Sequence, residues 1–191
     1  FIENFTSPSN ISITADPSLL YNCTSIKKTQ QKKYILVYIL GPELKMGHNY
    51  VLKEIKNKYG NIPVKVVLNP HMNFDIPSYA DEIYYDIDPL KWIDLIANAS
   101  FVYTDSFHGI LFSLKYHVNF LAYYVDMKRS ARLIDISSRY LIGDFIINGN
   151  KLNDIQSTLN AKIPFSEIDS LIKKQKETSL VFLKKGLNVK R

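Results

Sequence analysis

The segment Thr104-Asp105-Ser106-Phe107-His108-Gly109 sets a histidine, a carboxylate and two hydroxyls inside a passage, Phe101 to Leu114, that is otherwise apolar. Thr104, Asp105 and Ser106 are residue types that cap helix N-termini, and a helix opening here exposes the backbone N–H groups of Ser106 to Gly109. Such a start is a natural seat for a phosphate or carboxylate, and Gly109, lacking a side chain, would let a ligand approach the backbone closely. His108 would lie in the first turn, where the helix dipole disfavours its cationic form and a bound polyanion favours it. A histidine balanced in that way exchanges protons near neutral pH. A plainer alternative stands beside this one: Asp105 or Ser106 merely caps the helix, and His108 packs or faces solvent.

Of the 24 basic residues only four are arginine, and three of those are Arg129, Arg132 and Arg139. Spacings of three and seven put their guanidinium groups on one helical face, and arginine's planar fork grips phosphate or carboxylate with two hydrogen bonds. The alternative is a solvated face pairing with Asp126 and Asp135. His48, His71 and His117 lack the paired spacing of a zinc site, so no metal is assigned. Gly41 and Gly47 match neither a Walker loop nor a dinucleotide fingerprint. Cys23 is alone, which excludes an internal disulfide, fits a reducing compartment and suits a small buried hydrophobe.

These residues need a scaffold, and the chain predicts an alternating one. "YILVYIL" from Tyr34 is a short, continuous apolar run ended by Gly41-Pro42, the pattern of a strand buried on both faces of a parallel sheet. A helix follows over 47–59 with Tyr50, Leu52, Ile55 and Tyr59 as its stripe. "PVKVVLN" is a second strand, 71–78 a loop, and "DEIYYDI" a short third strand. Asp88-Pro89 opens a helix, the aspartate as N-cap and the proline at its first position, with Leu90, Ile93, Ile96 and Ala97 inward. "SFVYT" is a fourth strand, 106–117 a helix, "VNFLAYY" a fifth strand and 129–140 another helix. Ser166 with Asp169 reads as a capping box for a final helix through Leu183. The alternation predicts a Rossmann-like, doubly wound α/β sheet spanning residues 33–164, preceded by an arm or interlobe linker over 1–32 and followed by a C-terminal helix in 165–191.

With 46% hydrophobic and 22% charged residues the 191-residue chain has an ordinary globular composition and room for one well-cored domain. No apolar run approaches the ~20 residues of a membrane-spanning helix, so no transmembrane segment is expected, and Phe1 to Thr6 does not read as a signal peptide. The expectation is a cytoplasmic protein, with the inner face of the membrane as an alternative place. A net charge of +6 steers anions in general, but basic and aromatic residues do not interleave, so nucleic acid is not an expected partner. Asn4, Asn10, Asn22 and Asn98 match the glycan-acceptor pattern by chance.

"NASFVYTDSFHGILFSLKYHVNFLAYY", preceded by "DPLKWIDLIA", resembles the C-terminal half of the polysaccharide pyruvyl transferase family, whose members carry a near-identical T-D-S-F-H-G before an apolar helix. "KRSARLIDI" and the early "DPSLL" also resemble family positions. The resemblance implies two Rossmann-like lobes arranged as in GT-B glycosyltransferases, with this chain as the C-terminal lobe. It implies transfer of pyruvate from phosphoenolpyruvate, as a ketal, to a sugar of a surface or exported polysaccharide, and hence phosphoenolpyruvate and a sugar or lipid-linked saccharide acceptor as partners, with no cofactor. His108 matches the catalytic histidine of the family, and Thr104, Asp105, Ser106 and Gly109 the segment around it. Some members carry an arginine two residues before that histidine, in R-L-H, where this chain has Ser106; Arg129 or Arg132 would take over the anion grip. Only fifteen residues precede "DPSLL", where the family would place an N-terminal lobe, so the chain reads as a fragment of a longer enzyme or as a truncated paralogue, and these residues alone are expected to be inactive. A GT-B glycosyltransferase using a nucleotide-sugar, and a non-catalytic polysaccharide- or partner-binding module, are the alternatives.

Overall fold

A computed structural model describes residues 12–21, 26, 34–69 and 76–187. Six parallel strands form one sheet: β1 (Ile35–Tyr38), β2 (Val64–Leu68), β3 (Glu82–Tyr85), β4 (Phe101–Thr104), β5 (Phe120–Tyr124) and β6 (Ile146–Asn148), in spatial order β3-β2-β1-β4-β5-β6. The chain winds outward from β1 to β3, then returns to the other side of β1 as β4 and winds outward again. That order is doubly wound, as expected. Its reversal lies between β1 and β4, which run level so that Tyr38 and Thr104 are partners at their carboxyl ends. In open α/β sheets this reversal opens a crevice outside the strand ends.

The central strands read as unbroken apolar runs because both faces are covered. Leu36, Val102 and Ala122 face a core shared with α3 (Pro89–Ala97), α4 (Phe107–Lys115), α5 (Met127–Arg139) and α7 (Phe165–Gly186). Ile35, Val37, Phe101, Tyr103, Leu121 and Tyr123 face a second core built with α2 (His48–Tyr59) and α6 (Ile155–Asn160). Helix α4 has all six residues from Gly109 to Leu114 buried, wedged among the sheet, α3 and α7. That enclosure is why its sequence is apolar nearly all round instead of amphipathic.

The short α1 (Pro17–Leu20), from the "DPSLL" stretch, is pinned down on this same side. Leu19 enters the core, Lys115 donates to the Ser18 carbonyl at 2.9 Å and to that of Tyr21, and the Ala15 amide donates to Ser179 Oγ at 2.7 Å. The most N-terminal described segment is thus tied by hydrogen bonds to α4 and α7, the one from Ala15 being buried.

Several local expectations shift. On α2 the inward residues are Val51, Leu52 and Ile55, while Tyr50 is exposed. On α3 Leu90 is exposed and Leu95 buried in its place, although Asp88 caps the helix by accepting from the Leu90 and Lys91 amides. The Ser166–Asp169 capping box does not form: α7 starts at Phe165 after Pro164 with no side-chain cap, and Asp169 meets His117 Nε2 instead, at 2.9 Å. Asn98 is buried with its amide donating to Asp94, so it is no glycan acceptor; Asn4, Asn10, Asn22, Cys23 and His71 lie outside the described residues.

Candidate functional site

The stretch from Thr104 to Gly109 leaves β4 at the crevice and turns into α4. Thr104 is fully buried, and its Oγ1 donates to the Tyr38 carbonyl while accepting from the Ser106 amide at 3.0 Å. Asp105 reaches across the reversal and accepts the Leu40 amide at 2.7 Å, fixing the chain as it leaves β1. Ser106 is the N-cap of α4, accepting from the Gly109 amide at 3.3 Å. The polar interruption therefore serves first to lock the ends of two strands to the start of one helix.

This locking corrects two expectations. The Ser106 and Gly109 amides are satisfied by Thr104 and Ser106 side chains, so an incoming anion would have to use those of Phe107 and His108. Gly109 does not open the backbone to a ligand: a Cβ there would lie 2.7 Å from Thr104 Oγ1, so its lack of a side chain lets α4 seat against the end of β4. Thr104 and Gly109 build the site from beneath.

His108, by contrast, is half exposed on the crevice. Its Nε2 lies 3.8 Å from Asp16 Oδ2, too long for a direct hydrogen bond but near enough to place a carboxylate beside the ring. Asp16 is held there because its Oδ1 caps α1, accepting from Ser18 N at 2.9 Å. Burial works to raise the Asp16 pKa, but hydrogen bonding from Ser18, then the charges of His108 and Arg132, hold it below the ordinary carboxylate value. Arg132 completes the group from α5, its guanidinium 4.1 Å from the centre of the Phe107 ring, a cation–π contact that fixes the fork beside His108. Arg132, His108, Ser106, Asp105 and Asn69 line one cavity of about 310 Å³. A second, of about 390 Å³, shares Ser106, His108 and Asn69 and has Tyr38, Trp92 and Phe112 as an apolar wall.

Sequence reasoning treated the three arginines as one group, and the structure separates them. Arg139 is engaged by Asp135 one turn back at 2.6 Å, the solvated pairing offered as the alternative. Arg129 lies in α5, but its side chain falls outside the described residues. Asp16 is a site residue that no local signal in the sequence marks, since tertiary packing brings it to His108. His48 was also passed over. It starts α2 among the rings of Tyr79, Tyr103 and Tyr123, with Nδ1 2.9 Å from Tyr103 Oη, and burial lowers its pKa against the opposing pull of Glu43. Among the described residues, no three His, Cys, Asp or Glu side chains gather as metal ligands.

The model of the family described as polysaccharide pyruvyl transferase matches residues 1–127, which include α1, β1 to β5 and the whole His108 segment. The chain belongs to that family. The matched region is the N-terminal two-thirds of this chain, and α6 and α7 lie beyond it. No curated protein matches the sequence. Among solved structures the chain is similar to the "glycotransferase of kitacinnamycin", at 8% identity and a TM-score of 0.50 over 86% of this chain and 45% of that one. It is also similar to the calicheamicin glycosyltransferase (13% identity, TM-score 0.44, 82% and 40% covered) and to a spinosyn rhamnosyltransferase (11%, 0.43, 84% and 44%). The first of these likenesses bears on fold alone, and it agrees with the Rossmann-like, GT-B-type lobe. The chain spans under half the length of these solved structures.

Proposed function

We propose that this chain is the donor-binding lobe of a pyruvyl transferase that moves pyruvate from phosphoenolpyruvate, as a ketal, onto a sugar of a surface or exported polysaccharide. The observation that carries the reading is the grouping of His108 with Asp16 and Arg132 on the crevice at the β1/β4 reversal, in a chain of this family. Phosphoenolpyruvate brings a phosphate and a carboxylate to one small carbon skeleton. Arg132 offers a planar fork for either anion, and the amides at the start of α4 offer a second contact. Tyr38, Trp92 and Phe112 give the adjoining cavity an apolar wall beside the reacting carbons.

The reaction needs a proton at C3 of the donor while a sugar hydroxyl, giving up its own proton, adds to C2. His108 supplies the proton to C3 and takes up the one that the hydroxyl gives up, with the Asp16 carboxylate 3.8 Å from its Nε2. The C2–O bond to phosphate then breaks with phosphate leaving, and the second hydroxyl of the sugar adds to C2, losing its proton to close the ketal. Arg132 and the helix amides hold the charge that accumulates on the departing phosphate. The opposing wall and the acceptor's route to it belong to a second lobe, and the acceptor is a sugar or lipid-linked saccharide met at the cytoplasmic side of a membrane. No described helix is long and apolar enough to cross one.

Thermal unfolding tests the donor assignment on this chain. Phosphoenolpyruvate at a hundred times its Kd adds about 2.7 kcal/mol, which for a protein of this length raises Tm by roughly 5 to 10 °C, while uridine and guanosine diphosphate sugars leave it unchanged. Stabilisation by a nucleotide-sugar and not by phosphoenolpyruvate would overturn the reading in favour of glycosyl transfer.

A further inference from the structure

On the opposite face of the sheet, at the same carboxyl end of β1 and β2, lies a separate cavity of about 360 Å³. Val37, Ile39 and Val66 form its floor, Pro42, Pro77 and Tyr79 its apolar walls, and Glu43, His48, Asn49 and Ser78 bring polar groups to it. A small-molecule site has this make-up: mostly apolar, with a few convergent polar groups. The question is what chemistry it takes.

Its electrostatics differ from those of the His108 crevice. The start of α2, which would otherwise attract an anion, is covered from within: the His48 amide donates to Glu43 Oε1 at 2.7 Å, and Gly47 takes a left-handed conformation, φ +81°, to bring the helix round to that carboxylate. Burial disfavours the charged form of His48 and lowers its pKa, and burial and the Glu43 charge push the Tyr79 phenol up to about 12. No lysine or arginine lines the cavity among the described residues. Among the described residues it therefore presents the Glu43 carboxylate and several neutral hydrogen-bonding groups beside aromatic and proline surfaces. An anionic donor is repelled; a neutral polyhydroxy compound is suited, with hydroxyls to donate to Glu43, Asn49 and Ser78 to exchange hydrogen bonds, and a C–H face for Tyr79.

The cavity's position relates it to the donor crevice. Side chains alternate at the end of β1 and just past it, so Val37 and Ile39 line this cavity and Tyr38 and Leu40 the other, and Val67 and Leu68 of β2 border both. Only the ends of two strands separate them. The intervening turn is held rigid by the Leu40 amide on Asp105 and by Tyr123 Oη donating to the Pro42 carbonyl at 3.1 Å.

We infer that this cavity is a subsite for a neutral sugar unit of the acceptor, next to the anionic donor and separated from it by the end of β1. The inference rests on the donor assignment of the His108 crevice, and the test keeps the two apart. The isotopically labelled 191-residue chain is titrated with methyl glycosides of galactose, glucose, mannose and N-acetylglucosamine, and in parallel with phosphoenolpyruvate, following amide resonances. At least one neutral glycoside is expected to move the resonances of Gly47 to Asn49 and of Ser78 and Tyr79, whereas phosphoenolpyruvate moves those of Phe107 to Gly109. Glu43→Gln should weaken the neutral glycoside about tenfold, the loss of one charged hydrogen-bond acceptor. Galacturonate should bind more weakly than methyl galactoside to the natural chain and equally well to Glu43→Gln, an exposed change that leaves the fold intact. If all four glycosides leave Gly47 to Asn49 unmoved, or if galacturonate binds better than the neutral sugars, the subsite is overturned while the donor assignment stands. If phosphoenolpyruvate alone fails, the donor assignment falls and the cavity remains a sugar site without a known partner reaction.

Discussion

Substituting Gly109 by alanine sets two rules against each other, and the structure decides between them. Gly109 lies in the first turn of α4 with a backbone that alanine adopts freely, so helix propensity alone predicts a gain of about 1 kcal/mol. The new Cβ, however, would stand 2.7 Å from Thr104 Oγ1, 3.1 Å from its Cγ2 and 3.2 Å from its Cβ. Thr104 cannot swing away without cost, because it is fully buried and its hydroxyl joins the Tyr38 carbonyl to the Ser106 amide. Overpacking of this kind costs about 1 to 3 kcal/mol and the two hydrogen bonds about 1 kcal/mol each. Less the propensity gain, Gly109→Ala should destabilise by about 2 to 4 kcal/mol, lowering Tm by roughly 5 to 15 °C at this chain length. Calorimetric unfolding measures it. In a Thr104→Ala background the oxygen and methyl are gone, and the same substitution should fall within about 1 kcal/mol of neutral, a coupling expected only of residues in contact. A rise in Tm for Gly109→Ala, or an equal penalty in both backgrounds, would refute the packing argument and return Gly109 to the role of a ligand-approach residue.

Further expectations concern chemistry more than packing. If the proposed transferase reading holds, His108→Gln in a full-length protein that carries this lobe should lower turnover on the order of a hundredfold or more, with Tm within a degree or two because the ring is half exposed; unchanged turnover in a pyruvyl-transfer assay would favour a binding module. Arg132→Lys keeps the charge but loses the planar fork set on Phe107, so KM for phosphoenolpyruvate should rise about tenfold with a smaller change in kcat, read from steady-state kinetics. His48 has a folded pKa below the ordinary 6.5, so the unfolded chain binds its proton first: its contribution is intact above pH 6.5 and is lost as pH falls through the lowered value. Denaturant unfolding across that window should show the loss in the natural chain and a flatter profile in His48→Gln.

Much of the scaffold was legible because burial on both faces leaves an unmistakable residue pattern. "YILVYIL", "PVKVVLN" and "SFVYT" each contain a strand of the central sheet, and Asp88-Pro89 caps α3 as its residue types require. Strand β6 and helix α6 were not foreseen: three residues of strand and six of helix carry too little periodicity to stand out, and both are held by neighbours, β6 pairing with β5 and α6 packing on α2. The stripe of α2 was misjudged by one position because tyrosine counts as apolar in a pattern, while Tyr50 lies on the solvent side. Within the site, the link from His108 to Asp16 spans most of the fold and depends on Ala15 meeting Ser179, and the link from Phe107 to Arg132 depends on how α5 packs. Such pairings are tertiary and leave no mark in local spacing.

The same tertiary view explains how Ser106 can stand where some relatives carry an arginine. Its side chain is almost wholly buried and caps α4, so this position is spent on holding the helix start. An arginine confined to the same pose would lose that cap, about 1 kcal/mol, and would force a larger, charged side chain into a space that now holds an almost wholly buried serine. Under the proposed function the grip on the donor anion would fall to Arg132, which approaches from α5 and reaches the same cavity over the Phe107 ring. If the two arrangements are alternatives for one task, restoring the arginine should rescue the loss of the other. Ser106→Arg alone is expected to lower Tm by a few degrees without improving phosphoenolpyruvate binding, whereas Ser106→Arg combined with Arg132→Ala should bind phosphoenolpyruvate more tightly than Arg132→Ala alone, as measured by calorimetric titration. Equal affinities for those two variants would mean that Arg132 and the relatives' arginine serve different ends of the donor.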